Sequence, residues 1–280
     1  MRLSFRNFSF DFSRKTYVMG ILNVTPDSFS DGGMFLNVRS AVERALRMEA
    51  EGADIIDVGG ESTRPGSEPV SIEEELKRTI PVIEALSGRL SIPISIDTYK
   101  SEVALKAVEA GAAMVNDISG LRFDPEMAPA LSGHDVALVL MHIKGTPRNM
   151  QLNPVYSDLL TEIADYLQEG IKLAKESGIA EERIVIDPGI GFGKTPEHNL
   201  RILNNLERFN DLGRPILVGV SRKSFIGKIL GDAPVADRLE GTAAAVAVSV
   251  MKGASMVRVH DVREMARVVR VADAVRREMI

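Results

Sequence analysis

The residues able to do chemistry sit at regular places, each directly behind a short run rich in Val and Ile. They are Asn23, the stretch Gly59–Gly66, Asp97 with Thr98, Asn116 with Asp117, Met141 with His142, Asp187, Ser221–Ser224 and Arg258–Asp261. Arg258 and His260 are two apart in a strand-like run, so both face one side while Val257 and Val259 face the other. With Lys223 they make an anion site suited to a diphosphate, the more so if a hard cation shares the charge. Asn23 offers one amide oxygen to such an ion, since Mg2+ takes few protein ligands; taken alone, it is a turn residue. Asp97, Asn116 and Asp187 combine two carboxylate acceptors with an amide, which suits a flat heterocycle carrying an amino group beside a ring N–H. For each Asp taken singly, a general base, a helix cap and an ion pair remain competing readings. Only convergence on one site separates them.

A scaffold must therefore bring these distant positions to one end. Eight buried-strand patterns are present: Tyr17–Leu22, Asp54–Val58, Pro93–Asp97, Ala113–Asp117, Val136–Met141, Arg183–Asp187, Pro215–Val220 and Met256–His260. Helical patterns lie between them, at Val38–Glu51, Ile72–Leu86, Ser101–Ala110, Asp158–Glu176, Leu200–Arg208, Arg238–Lys252 and Val262–Arg277. Gly52, Gly88, Gly111, Gly178 and Gly253 stand near the C-terminal ends of five of them. The spacing from Tyr17 to Met256 is about 34 residues per unit, the size of one strand and its crossover helix. An open doubly wound sheet would carry a G-x-G-x-x-G turn after its first strand, where this chain has NVTPDSFSDGG. The expectation is an α/β fold, a (β/α)8 TIM barrel, as a single domain over residues 1–280. In that fold the chemistry lies at the C-terminal ends of the strands. The opening MRLSFRNFSFDF alternates apolar and polar residues with one break at Arg6-Asn7, which predicts a β-hairpin closing the bottom rather than a signal peptide.

Composition narrows the function. The 280 residues include 34 Lys and Arg against 39 Asp and Glu, a net charge of −5, which argues against a nucleic-acid-binding surface. The absence of Cys excludes disulfides and thiolate chemistry and fits a cytoplasmic protein. The longest apolar run, Ala243–Met251, is far short of a membrane span. The loop DPGIGFGKT (Asp187–Thr195) fails both the P-loop and the dinucleotide template by one residue each, and is expected to let its backbone and Phe192 approach a ligand. The histidines lack the spacing of a zinc site.

Taken together, GILNVTPDSFSDGG (Gly20–Gly33), DVGGESTRPG (Asp57–Gly66), SIDT (Ser95–Thr98), MHIKGTPRNMQ (Met141–Gln151), DPGIGFGK (Asp187–Lys194), GVSRKSFIG (Gly219–Gly227) and RVHDV (Arg258–Val262) closely resemble the dihydropteroate synthases over essentially the whole chain. The resemblance implies an enzyme of folate synthesis, a sulfonamide target, that joins p-aminobenzoate to 6-hydroxymethyl-7,8-dihydropterin diphosphate. By position it assigns Asp97, Asn116, Asp187 and Lys223 to the pterin, with Met141 as an apolar wall and Arg258 stacked over the ring. Among these, Lys223, Asp97, Asp187 and Arg258 carry the catalytic role. It assigns Asn23 to Mg2+, and Thr63, Arg258 and His260, with Asn23, to the diphosphate. Thr63, Pro65, Phe192, Lys223 and Ser224 fall to the aminobenzoate, and Phe29 and Asp31 to a closing loop. Ile143 stands where many members have Met. The resemblance also implies a homodimer; Val246, Val250, Val268 and Val269 of the last helices are either an apolar outer face for it or residues that pack on the barrel. The alternatives are a pterin-binding methyltransferase, which shares Asp97, Asn116 and Asp187 but needs no diphosphate site, and a catalytically silent pterin-binding barrel.

Overall fold

The computed structural model describes residues 1–25 and 34–279, with side chains from residue 38 onward in the second stretch. Phe29 and Asp31, expected in the loop behind the first barrel strand, lie outside the described residues.

At the N-terminus β1 (Arg2–Phe5) and β2 (Phe8–Asp11) pair antiparallel, and the break expected at Arg6-Asn7 is their two-residue turn. Arg6 adopts a φ of 47° there, a conformation that glycine takes at lower cost. Its guanidinium donates to the carbonyls of Val108 (3.0 Å) and Gly111 (3.2 Å), at the C-terminal end of α3 (Ser101–Ala110), where unpaired carbonyls favour a cation. The hairpin is thereby fixed to the barrel wall.

The barrel strands are β3 (Tyr17–Asn23), β4 (Ile55–Gly59), β5 (Ile94–Asp97), β6 (Met114–Asp117), β7 (Ala137–Met141), β8 (Ile184–Asp187), β9 (Leu217–Val218) and β10 (Met256–Val259). All neighbours pair in parallel, in the order β8-β7-β6-β5-β4-β3-β10-β9, and a bridge between Ile186 and Ile216 closes the ring. The alternation along each strand separates two cores. Outward residues such as Val18, Ile56, Ile96, Leu138, Ile186, Val218 and Val257 join the helices in one cluster. Inward residues Met19, Ile55, Met114, Val139, Val185, Leu217 and Met256 form a second cluster, which Leu3, Phe5 and Phe10 of the hairpin cover from below. The barrel floor is thus apolar and plugged, and polar inward residues begin at the level of Asp57 and Ser95 and gather at the C-terminal mouth.

The helices are α1 (Met34–Glu51), α2 (Ile72–Leu86), α3, α4 (Met127–Leu131), α5 (Leu159–Glu176), α6 (Pro196–Asn204), α7 (Ser224–Ile229), α8 (Leu239–Met251) and α9 (Val262–Arg277) among the described residues. The helix expected over Leu200–Arg208 begins earlier. Thr195 caps the His198 N–H, Pro196 takes the first turn, and after Asn204 the chain tightens into a 3-10 segment, Leu206–Leu212. The short α4 and α7 have too few turns to show a period. The assignment of outer faces is corrected: Val246, Val250 and Val269 are buried against the barrel and Val268 is partly buried there. Exposed positions on these helices are Val248 and Met251, and Val271 and Val275. On α8 the reason is that the helix is apolar almost all round, so its sequence period does not mark a buried face; on α9 Val269 belongs to the apolar stripe of Val262, Met265 and Ala272 that faces the barrel.

Candidate active site

The inward positions at the strand ends converge. Register places Asn23 beside Gly59, Gly59 beside Asp97, Asp97 beside Asn116, and Met141 beside Asp187. Arg258 reaches across the mouth from β10. Its Nε donates to Asp57 Oδ2 at 2.6 Å and its Nη2 to Asp97 Oδ2 at 2.5 Å, and Asn116 Nδ2 donates to the same Asp57 oxygen at 3.1 Å. Asp97 Oδ1 and Asp57 Oδ1 are buried acceptors without a hydrogen-bond partner among the described residues. An orphaned carboxylate oxygen in a dry mouth is costly unless a ligand supplies the donor. Asp57 was missed from the sequence. Its signal was an Asp inside the apolar strand Ile55-Ile56-Asp57-Val58-Gly59, on the same side as Gly59 and so pointing inward.

Burial sets the charge states. It pushes the Asp97 carboxyl up to about 7, against the pull of Arg258, and the Asp187 carboxyl up to about 6, against the Gly189 N–H and Lys223. It also draws Lys223 down to about 8, against the pull of Asp187. Burial opposes the charge of Arg258 as well, but Asp57 and Asp97 outweigh it and hold the guanidinium above its ordinary value. The mouth therefore holds ionisable groups poised near neutrality, where a ligand's hydrogen bonds decide their state.

Lys223 precedes α7 and stands over the Phe192 ring, with Nζ 4.1 Å from the centroid. Gly191 makes this crossing possible: it has a φ of +83°, and a Cβ there would come within 3.1 Å of Lys223 Cδ. Gly189 is tighter still, with a φ of +70° and only 1.9 Å between its hypothetical Cβ and the His142 carbonyl oxygen. Asp187 Oδ1 accepts from the Gly189 N–H at 2.7 Å. The loop is anchored further by Lys194, whose buried Nζ meets His142 Nδ1 at 2.8 Å and the Phe192 carbonyl at 2.9 Å. The Asp187–Thr195 loop is thus a shaped turn that presents Phe192. Beside Phe192, Ile118, Met141, Ile143 and Met150 form an apolar wall, extended by Tyr99 and Phe123.

On the anion side, His260 Nδ1 meets Ser221 Oγ at 3.0 Å, and burial, with Arg258 nearby, lowers its pKa to about 4. Arg222, by contrast, is held by a two-point ion pair to Asp261 (2.6 and 2.9 Å) and shapes the turn. Thr63 is half-buried, while Pro65 and Ser224 are exposed, so these three occupy the rim rather than the floor.

A family model described as pterin binding enzyme matches residues 19–260. The chain is 52% identical over 265 residues to the dihydropteroate synthase of Synechocystis sp., covering 95% of this chain and 92% of that one. The chain belongs to the dihydropteroate synthase family. Its backbone follows that of the Yersinia pestis dihydropteroate synthase, solved with a sulfonamide drug, at a TM-score of 0.93 and 43% identity, covering 99% of this chain and 100% of that one. It follows the Xanthomonas albilineans dihydropteroate synthase, solved with 4-aminobenzoic acid, at a TM-score of 0.91 and 44% identity, covering 98% and 97%. As a member of the dihydropteroate synthase family the chain is a pterin-binding transferase with the barrel fold. No helix among the described residues is long and apolar enough to cross a membrane.

Proposed function

We propose that the mouth of this barrel joins p-aminobenzoate to 6-hydroxymethyl-7,8-dihydropterin diphosphate, with its residues divided among three subsites. The observation that carries the reading is the orphaned Asp97 Oδ1, a buried acceptor, with Asn116 beside Asp97 on the next strand, Asp187 beside Met141 two strands further on, and an apolar wall next to them. A pterin edge supplies the amino and ring N–H donors that these acceptors lack. Asp97, Asn116, Asp187 and Lys223 hold that edge, and Met141 lines one face of the ring. Arg258 spends Nε and Nη2 on Asp57 and Asp97, which leaves its flat face for stacking and its remaining edge for the diphosphate.

Asn23, Thr63, Arg258 and His260 take the diphosphate. The Asn23 site suits Mg2+: a Cβ on Gly59 would stand 3.6 Å from Asn23 Oδ1 and 3.6 Å from Asp97 Cβ, so the missing side chain leaves the amide oxygen open toward the mouth. No trio of His, Asp or Glu gathers there among the described residues. One amide oxygen suits an ion that completes its shell with water and substrate oxygens, and Mg2+, when bound, neutralises part of the diphosphate charge. The remaining chemistry is positioning and electrostatics. The C–O bond to diphosphate breaks, Arg258 and His260 steady the departing charge, and Asp97 and Asp187 ease the positive charge on the pterin methylene. The aniline nitrogen, already unprotonated at neutral pH, forms the new C–N bond and releases one proton. Thr63, Pro65, Phe192, Lys223 and Ser224 hold the aminobenzoate.

The exposed Val248 and Met251 of α8 and Val271 and Val275 of α9 support a homodimer through these neighbouring helices. We place the enzyme in the cytoplasm, which cell fractionation tests. Titration of the pterin substrate into wild type and Asp97→Asn tests the site assignment. Loss of binding in the variant, with Mg2+ held constant and p-aminobenzoate omitted so that no turnover occurs, is expected, and equal affinity overturns it.

A further inference from the structure

Thr63 and Pro65 lie on the loop between β4 and α2, and one side chain holds both ends of that loop. Lys100, just beyond β5, spends its three ammonium hydrogens on Glu61 Oε2 (2.5 Å), Glu75 Oε2 (2.5 Å) and the Val70 carbonyl (2.7 Å). Glu61 closes the circuit by accepting from the Val70 N–H (3.1 Å), and its other oxygen accepts from the Tyr99 hydroxyl (2.8 Å). Residues 61 and 70 are thus tied to each other, to Lys100, and through Glu75 to α2. The side chains of Lys100, Glu61 and Glu75 are 12%, 6% and 1% exposed, so water competes little for these bonds.

The tip of the loop is held far more lightly. One backbone bond runs from the Gly66 N–H to the Pro147 carbonyl (3.0 Å), and an exposed ion pair joins Glu68 to Arg148 at 3.6 Å, a kind worth little in water. The result is a flap with a fixed base and a loose tip. Two carboxylates around one buried ammonium are a costly way to fill space, since apolar side chains of the same volume often serve stability as well. What the ionic cluster adds is a defined geometry for the two loop ends.

We propose that Lys100 is a positioning residue for the amine substrate: by clasping both ends of the 61–70 loop it sets where Thr63 and Pro65 stand at the rim of the mouth. This rests on the reading that Thr63 and Pro65 flank the aminobenzoate. Lys100 acts through the loop, so its loss falls mainly on the amine substrate: the pterin floor of Asp97, Asn116 and Asp187 does not stand on the loop, and of the diphosphate ligands only Thr63 does, while Asn23, Arg258 and His260 sit at other strand ends.

The test uses Lys100→Met, together with Lys100→Met/Glu75→Gln, which removes one buried carboxylate along with the ammonium and protects the fold. Hydrogen–deuterium exchange over residues 60–71 reports the loop without substrates. The expected result is faster exchange there, a KM for p-aminobenzoate raised roughly ten- to a hundredfold, and a KM for the dihydropterin diphosphate raised by no more than about fivefold, the worth of the one Thr63 hydrogen bond to its diphosphate. Lys100→Arg, which keeps the charge and donors, is expected to recover most of the loss. Equal loss for both substrates, or unchanged exchange and unchanged KM in a folded variant, overturns the proposal. Thr63→Ala separates the two layers. If it raises the p-aminobenzoate KM while Lys100→Met does not, the clasp fails and the subsite reading stands. If Thr63→Ala has no effect, the subsite reading fails and takes the clasp's role in catalysis with it.

Discussion

Asp57 offers the sharpest test of how the mouth is built. Its carboxylate is fully buried and receives Arg258 Nε at 2.6 Å and Asn116 Nδ2 at 3.1 Å on one oxygen. Asp57→Ala leaves two buried donors without an acceptor and breaks one arm of the Arg258 pair. Breaking a buried pair costs about 3–5 kcal/mol when nothing else compensates. Arg258 keeps Asp97 at 2.5 Å, so the lower end applies, about 3 kcal/mol of folding stability. Asp57→Asn retains an oxygen that can accept both donors and loses only the charge assistance, about 1–2 kcal/mol. Asp57→Ala leaves Arg258 paired with Asp97 alone and Asp57→Asn weakens its other arm, so the dihydropterin KM rises, more in Asp57→Ala, while the p-aminobenzoate KM changes less. Urea unfolding of wild type and both variants, with steady-state kinetics at saturating second substrate, measures this. An Asp57→Ala protein within about 0.5 kcal/mol of wild type, or no more damaged than Asp57→Asn, refutes the reasoning.

Other predictions follow from the same geometry. In the free enzyme kcat/KM should fall on the acid side as Asp187 and Asp97 take up protons, between about 6 and about 7, and on the alkaline side as Lys223 loses its proton near about 8; Lys223→Arg should move only the alkaline limb upward. For stability the signs are set by the same shifts. Asp97 and Asp187 bind protons more tightly folded than unfolded, so their contribution declines as pH rises from about 4 to about 7. Lys223 does the reverse between its folded value near about 8 and its unfolded value, and pH-dependent denaturation of Asp187→Asn should show a flatter acid branch. Gly191→Ala should fold, with a strain of about 1 kcal/mol, and raise the pterin KM by displacing Lys223, whereas Gly189→Ala should fail to accumulate as folded protein because its Cβ meets the backbone of His142. Arg6→Ala should cost about 1 kcal/mol by freeing the α3 carbonyls and leave kcat unchanged, as thermal denaturation and steady-state rates would show.

Much of the fold was legible because parallel barrel strands are buried on both faces and appear as unbroken apolar runs. The strand that ends at Asp97 and the helix from Ser101 to Ala110 are where the sequence places them. The inward orientation of Arg258 followed from period two alone, with Val257 and Val259 in the outer core. What escaped were features set by long-range contacts. Asp57 sits inside a strand rather than at its end, so attention to strand ends passed over it, and its value appears only when Arg258 arrives from 201 residues away. No motif or spacing marks Lys100, whose role depends on Glu61 and Glu75 being brought to it by the fold. Arg222, in the SRKS segment, carries the composition of an anion ligand, yet Asp261 occupies it. The outer face of α8 could not be assigned because that helix is apolar almost all round, whereas α9 carries a clear apolar stripe that marks its buried side. The short α7 is defined by its place behind Lys223, which no periodicity announces.

Diphosphate release is the most direct test of the central claim that this mouth carries out the condensation. Purified protein with Mg2+ and the dihydropterin diphosphate would be followed with and without p-aminobenzoate, for wild type and Lys223→Ala. The account predicts rapid release that needs both substrates, one dihydropteroate formed per diphosphate, and a collapse of the rate in the variant. Pterin binding without amine-dependent release in wild type, or an undiminished rate in Lys223→Ala, would contradict it.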